Sequence, residues 1–298
     1  MRAKIEWTCI IVIVAAVAAG CSDDKKNQPD AGPGVPDPIC LEPGAGPYTL
    51  SFTDVTDEVG LGQDGLVMTG GSVTVSDVDG DNWPDLVVTK NSNAREDPSA
   101  PTGLYRLLRN TGAGFEDWTW SSGLFRDRDG EQGRATTYVV FGDVDNDGDA
   151  DAFSVIYEDT GSGLIDDDTS VFFNDGSGQF SIGPEQEFTN GIVDPATAAA
   201  FLDYDRDGIL DVYVGHHYGT YGMLGSTVQD QLFAGDGQGA FDDVTDAAGL
   251  TTLAHSDESA AAGTNHKPSW GVTACDVDGD GWTDLMTTSY GRQFNNFY

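Results

Sequence analysis

The chain has 298 residues, with 50 Asp and Glu against 14 Lys and Arg, so its formal net charge is −36. This charge disfavours a nucleic-acid partner, because phosphate binding requires a basic face. General disorder is also disfavoured, since 39% of the residues are hydrophobic and 10% are aromatic, which is enough for a packed core. The 39 glycines predict many tight turns between short strands.

Residues 1–20 have the pattern of a secretory signal peptide. Arg2 and Lys4 precede an apolar run from Trp7 to Gly20, which is shorter than the roughly 20 residues that a membrane-spanning helix needs. Small residues end the run, as they do before a cleavage site. We therefore expect an exported protein. An ordinary signal peptide followed by an incidental cysteine is one interpretation of this segment.

The segment Val17–Cys21 also resembles the lipobox of bacterial lipoproteins. That resemblance implies that Cys21 becomes the lipidated first residue of the mature chain. The resemblance further implies a lipoprotein of the bacterial outer membrane or cell surface, or alternatively one that is anchored on the periplasmic side of the membrane. Residues 21–47 are rich in Pro, Gly and Asp without apolar periodicity, which predicts a disordered tether between the anchor and the folded part.

A nine-residue pattern recurs four times, beginning at residues 77, 143, 203 and 276, with Asp at positions 1, 3, 5 and 9. Such a cage of oxygens suits a hard cation, and Ca²⁺ fits it best. Position 6 must bend sharply, and it holds Asn82, Gly148, Gly208 or Gly281, residue types that tolerate positive φ. The candidate ligands are Asp77, Asp79, Asp81, Asp85, Asp143, Asp145, Asp147, Asp151, Asp203, Asp205, Asp207, Asp211, Asp276, Asp278, Asp280 and Asp284.

The alternative interpretation is four acidic surface turns that bind nothing. Unpaired carboxylates at this spacing would repel one another, so we expect about four bound Ca²⁺ ions. An EF-hand is excluded, because position 12 holds no Glu in any copy and no helical periodicity flanks the loops.

Each loop lies between two short, mostly β-branched or aromatic runs, which predict a pair of strands. The runs before the loops are 73–75, 138–141, 199–202 and 271–274, and those after them are 86–88, 152–155, 212–214 and 285–287. Gly-rich turns at 110–115, 174–180 and 235–241 predict a second hairpin in each of the first three units. A period of this size indicates a repeat architecture, and about four strands per unit are typical of a propeller blade.

The Asp loops, the Gly-rich turns and segments such as Phe241-Asp242-Asp243-Val244-Thr245 together resemble the FG-GAP/VCBS repeats of integrin α-subunits and bacterial surface proteins. The resemblance implies an all-β fold, a β-propeller in which residues 48–298 form about four blades, the last truncated at the C-terminus. It also implies that Ca²⁺ is bound by the Asp side chains at loop positions 1, 3, 5 and 9. The position-7 carbonyl ligands would belong to Trp83, Asp149, Ile209 and Trp282.

Other candidate residues have two interpretations each. Cys40 and Cys275 could form a disulfide or remain unpaired. His216 and His217 are adjacent and should point to opposite faces of a strand, which disfavours a shared metal site. We place His255 and His266 in an inserted loop at 251–269. Trp118 and Trp120 are expected on one strand face, for packing or for stacking against a sugar.

No catalytic motif is evident in the sequence. The chain is predicted to be a calcium-stabilised cell-envelope scaffold for adhesion or for binding an unknown protein or glycan, with no catalytic or cofactor-binding residue. The rival hypothesis is an enzyme, a hydrolase or lyase, with its site in the propeller funnel or in a C-terminal domain. A purely structural spacer of the cell envelope is a third possibility. Fold alone does not decide among them.

Overall fold

The computed structural model describes residues 52–62, 71–90, 94–99, 103, 105–158, 167–189, 193–252, 267–290 and 295–298. The predicted signal peptide, the tether, Cys21, Cys40, His255 and His266 lie outside these ranges. Within the described ranges, no helix is long and apolar enough to cross a membrane.

The strands form four antiparallel sheets, each built from consecutive strands in chain order. They are arranged as a four-bladed β-propeller, which confirms the predicted fold class. Sheet 1 contains β1 (Ser72–Ser76), β2 (Asp85–Thr89), β3 (Tyr105–Asn110) and β4 (Phe115–Asp117), and sheet 2 contains β5 (Tyr138–Gly142), β6 (Asp151–Val155), β7 (Ser170–Asn174) and β8 (Phe180–Ile182). Sheet 3 contains β9 (Ala196–Leu202), β10 (Asp211–His216), β11 (Gln231–Gly235) and β12 (Phe241–Asp243), and sheet 4 contains β13 (Ser269–Cys275), β14 (Asp284–Ser289) and β15 (Asn296–Phe297).

Every predicted strand pair around an Asp loop is present, and each strand is one to three residues longer than the apolar run that predicted it. The register is the same in all four sheets, because the residue before loop position 1 pairs with the Asp at position 9. The four pairs are Ser76 with Asp85, Gly142 with Asp151, Leu202 with Asp211, and Cys275 with Asp284. The loop is therefore the hairpin connection between the first and second strand of each sheet.

Antiparallel order places the Asp loops and the Gly-rich turns at the same end of the sheets. We call this end the cation-loop face. The connections between second and third strands, and those between successive sheets, lie at the other end, which we call the opposite face. The two kinds of turn touch on the cation-loop face: a Cβ built on Gly112 would lie 2.6 Å from the Trp83 ring, and one on Gly176 would lie 2.4 Å from Asp149. The glycines are thus required for the turns to fit together.

The core lies between the sheets. Sheets 1 and 2 bury a cluster that includes Leu107 and Phe172, and sheets 2 and 3 bury one that includes Phe153. The Phe153 ring meets the Phe188 ring edge-on at 4.9 Å. Sheets 3 and 4 are joined by a smaller cluster containing Tyr213. The innermost strands pack in sequence, β1 on β5, β5 on β9 and β9 on β13.

The outward faces of the first and fourth sheets carry exposed apolar side chains. Val73 and Val75 of β1 are 52% and 50% exposed, and Phe297 of β15 is 60% exposed. The inward faces of the same sheets are covered by the clusters described above.

The expectation that Trp118 and Trp120 share a strand face is wrong. Strand β4 ends at Asp117, and both tryptophans lie in the turn that follows. The turn forms because Asp117 Oδ1 accepts the Thr119 N–H at 2.9 Å, and the Ser122 N–H donates to the Trp118 carbonyl. Both rings pack against the cluster between sheets 1 and 2, which favours the packing interpretation over a sugar platform.

Candidate metal centres

Each Asp loop gathers three carboxylates into one small volume. The side chains at positions 1, 3 and 9 each offer an oxygen, and the three oxygens lie within 4.8 Å of one another. This holds in all four loops, although the fourth is the most exposed. The position-5 side chains, Asp81, Asp147, Asp207 and Asp280, are not members of these groups.

Backbone N–H groups of the loop itself hold the carboxylates in place, as the second loop illustrates. Asp143 accepts from the N–H groups of Asp147 and Gly148, at 3.0 and 3.1 Å. Asp145 Oδ1 accepts from the Asp147 N–H at 3.2 Å, and Asp147 Oδ1 accepts from the Asp149 N–H at 3.0 Å. The same donors and acceptors recur in the other three loops. Residue 7 of each loop, whose carbonyl is the predicted ligand, is therefore fixed by its own N–H.

Two positions of each loop require left-handed backbone. Position 6 was predicted to need it, and φ there is 66° at Asn82, 100° at Gly148, 86° at Gly208 and 85° at Gly281. Position 4 adopts it as well, which the sequence reasoning missed. Its occupants are Gly80 (70°), Asn146 (59°), Arg206 (65°) and Gly279 (79°). Gly or Asn at position 4 in three loops is the signal that could have shown it.

The Asp at position 9 is buried at the start of the second strand in the first three loops. One oxygen of Asp151 accepts the Val144 N–H at 3.0 Å, and the other accepts the Asn174 N–H at 2.8 Å. Asp85 and Asp211 make the corresponding pair of bonds. This side chain therefore joins the loop, the second strand and the third strand. Asp284 makes the first of these bonds, to the Val277 N–H at 2.8 Å.

Burial raises the pKa of Asp85, Asp151 and Asp211 to about 6, with a further contribution from the carboxylates at nearby loop positions. Burial, followed by the charges of Asp147 and Asp143, also raises the pKa of Asp145. A nearby positive charge opposes both effects. The donor set of hard carboxylate oxygens, already oriented by N–H groups, fits Ca²⁺. When bound, the ion would supply charge neutralisation, with Asp side chains at positions 1, 3 and 9 holding it.

The part of the chain that contains the first two loops matches a known repeat family. The sequence model of the FG-GAP-like repeat family matches residues 77–154, from the first residue of the first loop into β6. Residues 77–154 are thus similar to an FG-GAP-like repeat. Sheets 3 and 4 repeat the loop geometry and the register of this FG-GAP-like segment.

No curated protein matches the chain. Among solved structures, it is similar to an Agrocybe aegerita lectin that recognises non-reducing terminal N-acetylglucosamine, at 17% identity and a TM-score of 0.38. It is also similar to the rhamnogalacturonan lyase PL11 of Bacillus licheniformis, at 14% identity, and to the exotype rhamnogalacturonan lyase YesX, at 15%, both with TM-scores of 0.38. These alignments cover 72%, 74% and 74% of this chain, but only 45%, 40% and 39% of the other chains.

Neighbouring repeats are joined on the cation-loop face by Asn174. Its Nδ2 donates to the Val78 carbonyl of the first FG-GAP-like loop at 2.8 Å and to the Ala150 carbonyl of the second at 3.1 Å. Its Oδ1 accepts the Gly178 N–H at 3.1 Å, which shapes the Gly-rich turn. This residue was predicted only as a turn former, and its role between sheets was not found from the sequence.

The opposite face carries an aromatic group that we call the aromatic strip, comprising Tyr221, Tyr290 and Trp270. Their side chains are 60%, 39% and 46% exposed. The hydroxyls of Tyr221 and Tyr290 are 2.9 Å apart, and the Trp270 and Tyr290 ring centroids are 5.6 Å apart. The buried His217 ring lies beneath all three, with centroid distances of 5.2 to 6.0 Å.

His216 and His217 face different surroundings, as predicted for adjacent residues. The His216 Nε2 atom lies 3.9 Å from an Asp194 carboxylate oxygen, whereas His217 packs among the rings of the aromatic strip. Both imidazoles are fully buried. Burial lowers the pKa of His216 to about 4, so it is neutral at physiological pH.

A cavity of about 630 Å³ also opens on the opposite face, between sheets 1 and 2. Its basic side chains already have protein partners. Arg95 makes ion pairs with Asp127 and Asp167, at 2.6 and 2.7 Å, and the buried Arg134 donates to Ser154 Oγ at 2.8 Å. These contacts hold the connections of the two sheets together and are remote from the Asp loops.

Cys275 is exposed at the end of β13. Its predicted alternative partner, Cys40, lies outside the described residues, so both interpretations of this pair stay open.

Proposed function

We propose that the protein is a calcium-binding scaffold of the bacterial cell envelope, in which one Ca²⁺ ion stabilises each blade and the opposite face binds a protein or glycan. The observation that supports this most is the fourfold recurrence of one loop with the same backbone hydrogen bonds and three converging carboxylates. Clustered carboxylates repel one another unless a cation lies between them.

The test of the metal is a calorimetric Ca²⁺ titration of the metal-free protein. We expect about four sites, with affinities in the range of 10⁻⁴ to 10⁻³ M that suits extracellular modules. Asp145→Ala should remove one site, because it deletes the position-3 ligand of the second loop. Asp242→Ala is the matched control, since this exposed Asp lies on β12 outside every loop. An unchanged number of sites in Asp145→Ala would contradict the assignment.

The ligand-binding half of the proposal is supported by the aromatic strip. Exposed Tyr and Trp side chains offer large apolar faces together with polar tips, and such residues are enriched at binding surfaces. Tyr221→Ala and Trp270→Ala should each weaken binding to the glycans or proteins captured by the wild-type chain on an array, by about tenfold or more. Phe52→Ala, which removes an exposed ring in the segment packed on sheet 1, should leave that binding unchanged.

Export and anchoring are proposed from the lipobox-like segment at Val17–Cys21. A single acyl chain gives only marginal membrane binding, so stable anchoring requires more than one chain at the modified cysteine. Labelling with a fatty-acid precursor in a bacterial host should mark the wild-type chain and not Cys21→Ser. Equal labelling of both chains would contradict the anchor.

A further inference from the structure

The first Asp loop contains a cation supplied by the protein. Arg109, on β3, forms ion pairs with the carboxylates at positions 3 and 5 of this loop. Its Nε contacts Asp79 Oδ2 at 2.5 Å, and its Nη2 contacts Asp81 Oδ2 at 3.2 Å. The Oδ1 atoms of these two Asp residues accept loop N–H groups, as they do in the other loops. Arg109 therefore engages the second oxygen of each side chain.

The guanidinium of Arg109 is held from two further directions. It lies over the ring of Trp118, with 4.7 Å from Cζ to the ring centroid, which is a favourable cation–π distance. Its neighbour Asn110 donates its N–H to Asp85 Oδ1 at 2.7 Å, so the strand that carries Arg109 is itself bonded to position 9 of the loop. The bond to Asp79 raises the pKa of Arg109, and the side chain stays charged.

Sheets 2 and 3 carry no arginine at the position that Arg109 occupies on the third strand of sheet 1. Arg109 pairs with Glu116 across β3 and β4, and the residues at the same register in sheets 2 and 3 are Phe173 and Ala234. Among the described residues, no Lys or Arg forms an ion pair with a carboxylate of the second, third or fourth loop. The difference between loops thus comes from one position on the third strand.

We propose that Arg109 is a built-in counter-ion of the first loop, which holds that loop together without metal and makes it a weaker Ca²⁺ site than the second and third loops. This inference rests on the proposed calcium function. Ca²⁺ entering the first loop must share Asp79 and Asp81 with a fixed positive charge or displace it, and like charges at such short separations repel strongly in a partly buried site. Among the described residues, no Lys or Arg is ion-paired with the carboxylates of the second or third loop. Arg206, at position 4 of the third loop, lies instead over the ring of Trp282 in the fourth loop, with 4.9 Å from Cζ to the ring centroid.

The first loop can be observed separately because position 7 holds Trp83, whereas the second and third loops hold Asp149 and Ile209. Terbium, a substitute for Ca²⁺, luminesces when a nearby Trp is excited. In a Trp282→Phe background, which removes the other position-7 Trp, the terbium signal reports the first loop. We expect the additional change Arg109→Met to lower the terbium concentration at half-saturation of this loop, the terbium midpoint, at least tenfold. In competition experiments, Ca²⁺ should likewise bind this loop more tightly in the variant than in the background protein.

The matched control is Arg126→Met in the same background, because it deletes an equal charge from an exposed arginine on the opposite face. It should leave the terbium midpoint unchanged. If Arg109→Met fails to fold, as judged by circular dichroism, Arg109→Lys provides the test. A lysine ammonium lacks the planar arrangement of donors with which a guanidinium bonds two carboxylates at once, so the terbium midpoint should again fall.

A midpoint that is unchanged or higher in the Arg109 variants would overturn the inference. Calorimetry on the same proteins separates this failure from that of the proposed function. Ca²⁺ uptake at the other loops with an unchanged first loop overturns the role of Arg109 alone, whereas no uptake by the wild-type chain overturns both.

Discussion

Asp151 shows how one side chain can serve both the fold and a candidate metal site. Its two oxygens accept backbone N–H groups from Val144 and Asn174, and it is fully buried. It is also one of the three carboxylates that converge in the second loop. Asp147, at position 5, is exposed and accepts the Asp149 N–H within the loop. The two positions were equivalent ligands in the sequence prediction, but they differ in structural role.

We therefore predict that Asp151→Ala destabilises the protein more than Asp147→Ala. Alanine at 151 leaves two buried N–H groups without acceptors, at about 1–3 kcal/mol for each, so a loss of roughly 3 kcal/mol in the free energy of unfolding is expected. Asp147→Ala should cost about 1 kcal/mol. Urea denaturation in excess EDTA measures both without the metal. Equal losses would contradict the structural role of position 9.

At this scale, the spacing of Asp residues in the sequence was enough to locate the loops, because the candidate ligand positions 1, 3 and 9 lie within one short segment. Arg109 could not be found in the same way. It lies 30 residues from Asp79, and the contact exists only because β3 returns beside the loop. The left-handed backbone at Arg206 was also hidden, since Arg gives no signal of positive φ.

Contacts between elements depend on a few polar side chains at the sheet interfaces. Asn174 links β7 to the carbonyls of both the first and second loops. Asn110 holds the same place in sheet 1, where its Nδ2 donates to the Pro84 carbonyl of its own loop at 3.1 Å and its Oδ1 accepts the Gly112 N–H. Asn174 is buried, whereas the Asn110 contacts are exposed.

Asn174→Ala should therefore destabilise the protein by about 1–3 kcal/mol, because the Val78 carbonyl is left buried without its side-chain donor. Asn110→Ala should cost clearly less, about 0.5–1 kcal/mol. Thermal or urea unfolding of both variants, compared under one condition, measures this. A larger loss of stability in Asn110→Ala than in Asn174→Ala would show that the hydrogen bonds of Asn174 between the two sheets do not stabilise the fold.

Asp230 connects sheets 3 and 4. Its carboxylate accepts the His216 N–H at 2.8 Å and the Ser269 hydroxyl, on β13, at 2.6 Å. The Tyr213 hydroxyl is 3.5 Å away, and the site is fully buried. Burial raises the pKa of Asp230 to about 7. Below about pH 7, the folded protein therefore favours the protonated form of this side chain.

The sign of the pH dependence follows from this shift. The contribution of Asp230 to stability is fully present below its unfolded pKa of 3.8 and is lost as the pH rises through about 7. His216 acts at lower pH, since its lowered pKa costs stability as the pH falls from 6.5 towards 4. Between pH 5 and 8, the free energy of unfolding of the wild-type chain should fall by roughly 1–3 kcal/mol relative to that of Asp230→Asn, whose side chain cannot ionise. Parallel stability curves for the two proteins would refute this.

The strands themselves were predictable, because β-branched and aromatic runs flank each loop and the loop fixes the register. The error at Trp118 and Trp120 has a local cause. Asp117 caps the following turn at Thr119, so the strand is only three residues long. The residues that build the aromatic strip come from β13 and from connections of sheets 3 and 4, and no sequence pattern indicated that they meet.

On the scale of the whole molecule, apolar clusters hold adjacent sheets together, while acidic groups concentrate at one face. Three core clusters lie between successive sheets, and the four converging carboxylate groups all lie on the cation-loop face. Burial of apolar area stabilises the interfaces, whereas the formal charge of −36 opposes a compact state through self-repulsion. Bound divalent ions would act where that repulsion is most concentrated.

If Ca²⁺ stabilises the blades, as proposed, the melting temperature of the protein should depend on Ca²⁺, and its measurement with and without the ion is the most direct test. At 1 mM Ca²⁺ and a Kd of about 10⁻⁴ M, each site adds about 1.4 kcal/mol. Three such sites, with a smaller contribution from the weaker first loop, would raise the melting temperature by roughly 10–20 °C above that in excess EDTA. A melting temperature that is the same in Ca²⁺ and in EDTA would contradict the account.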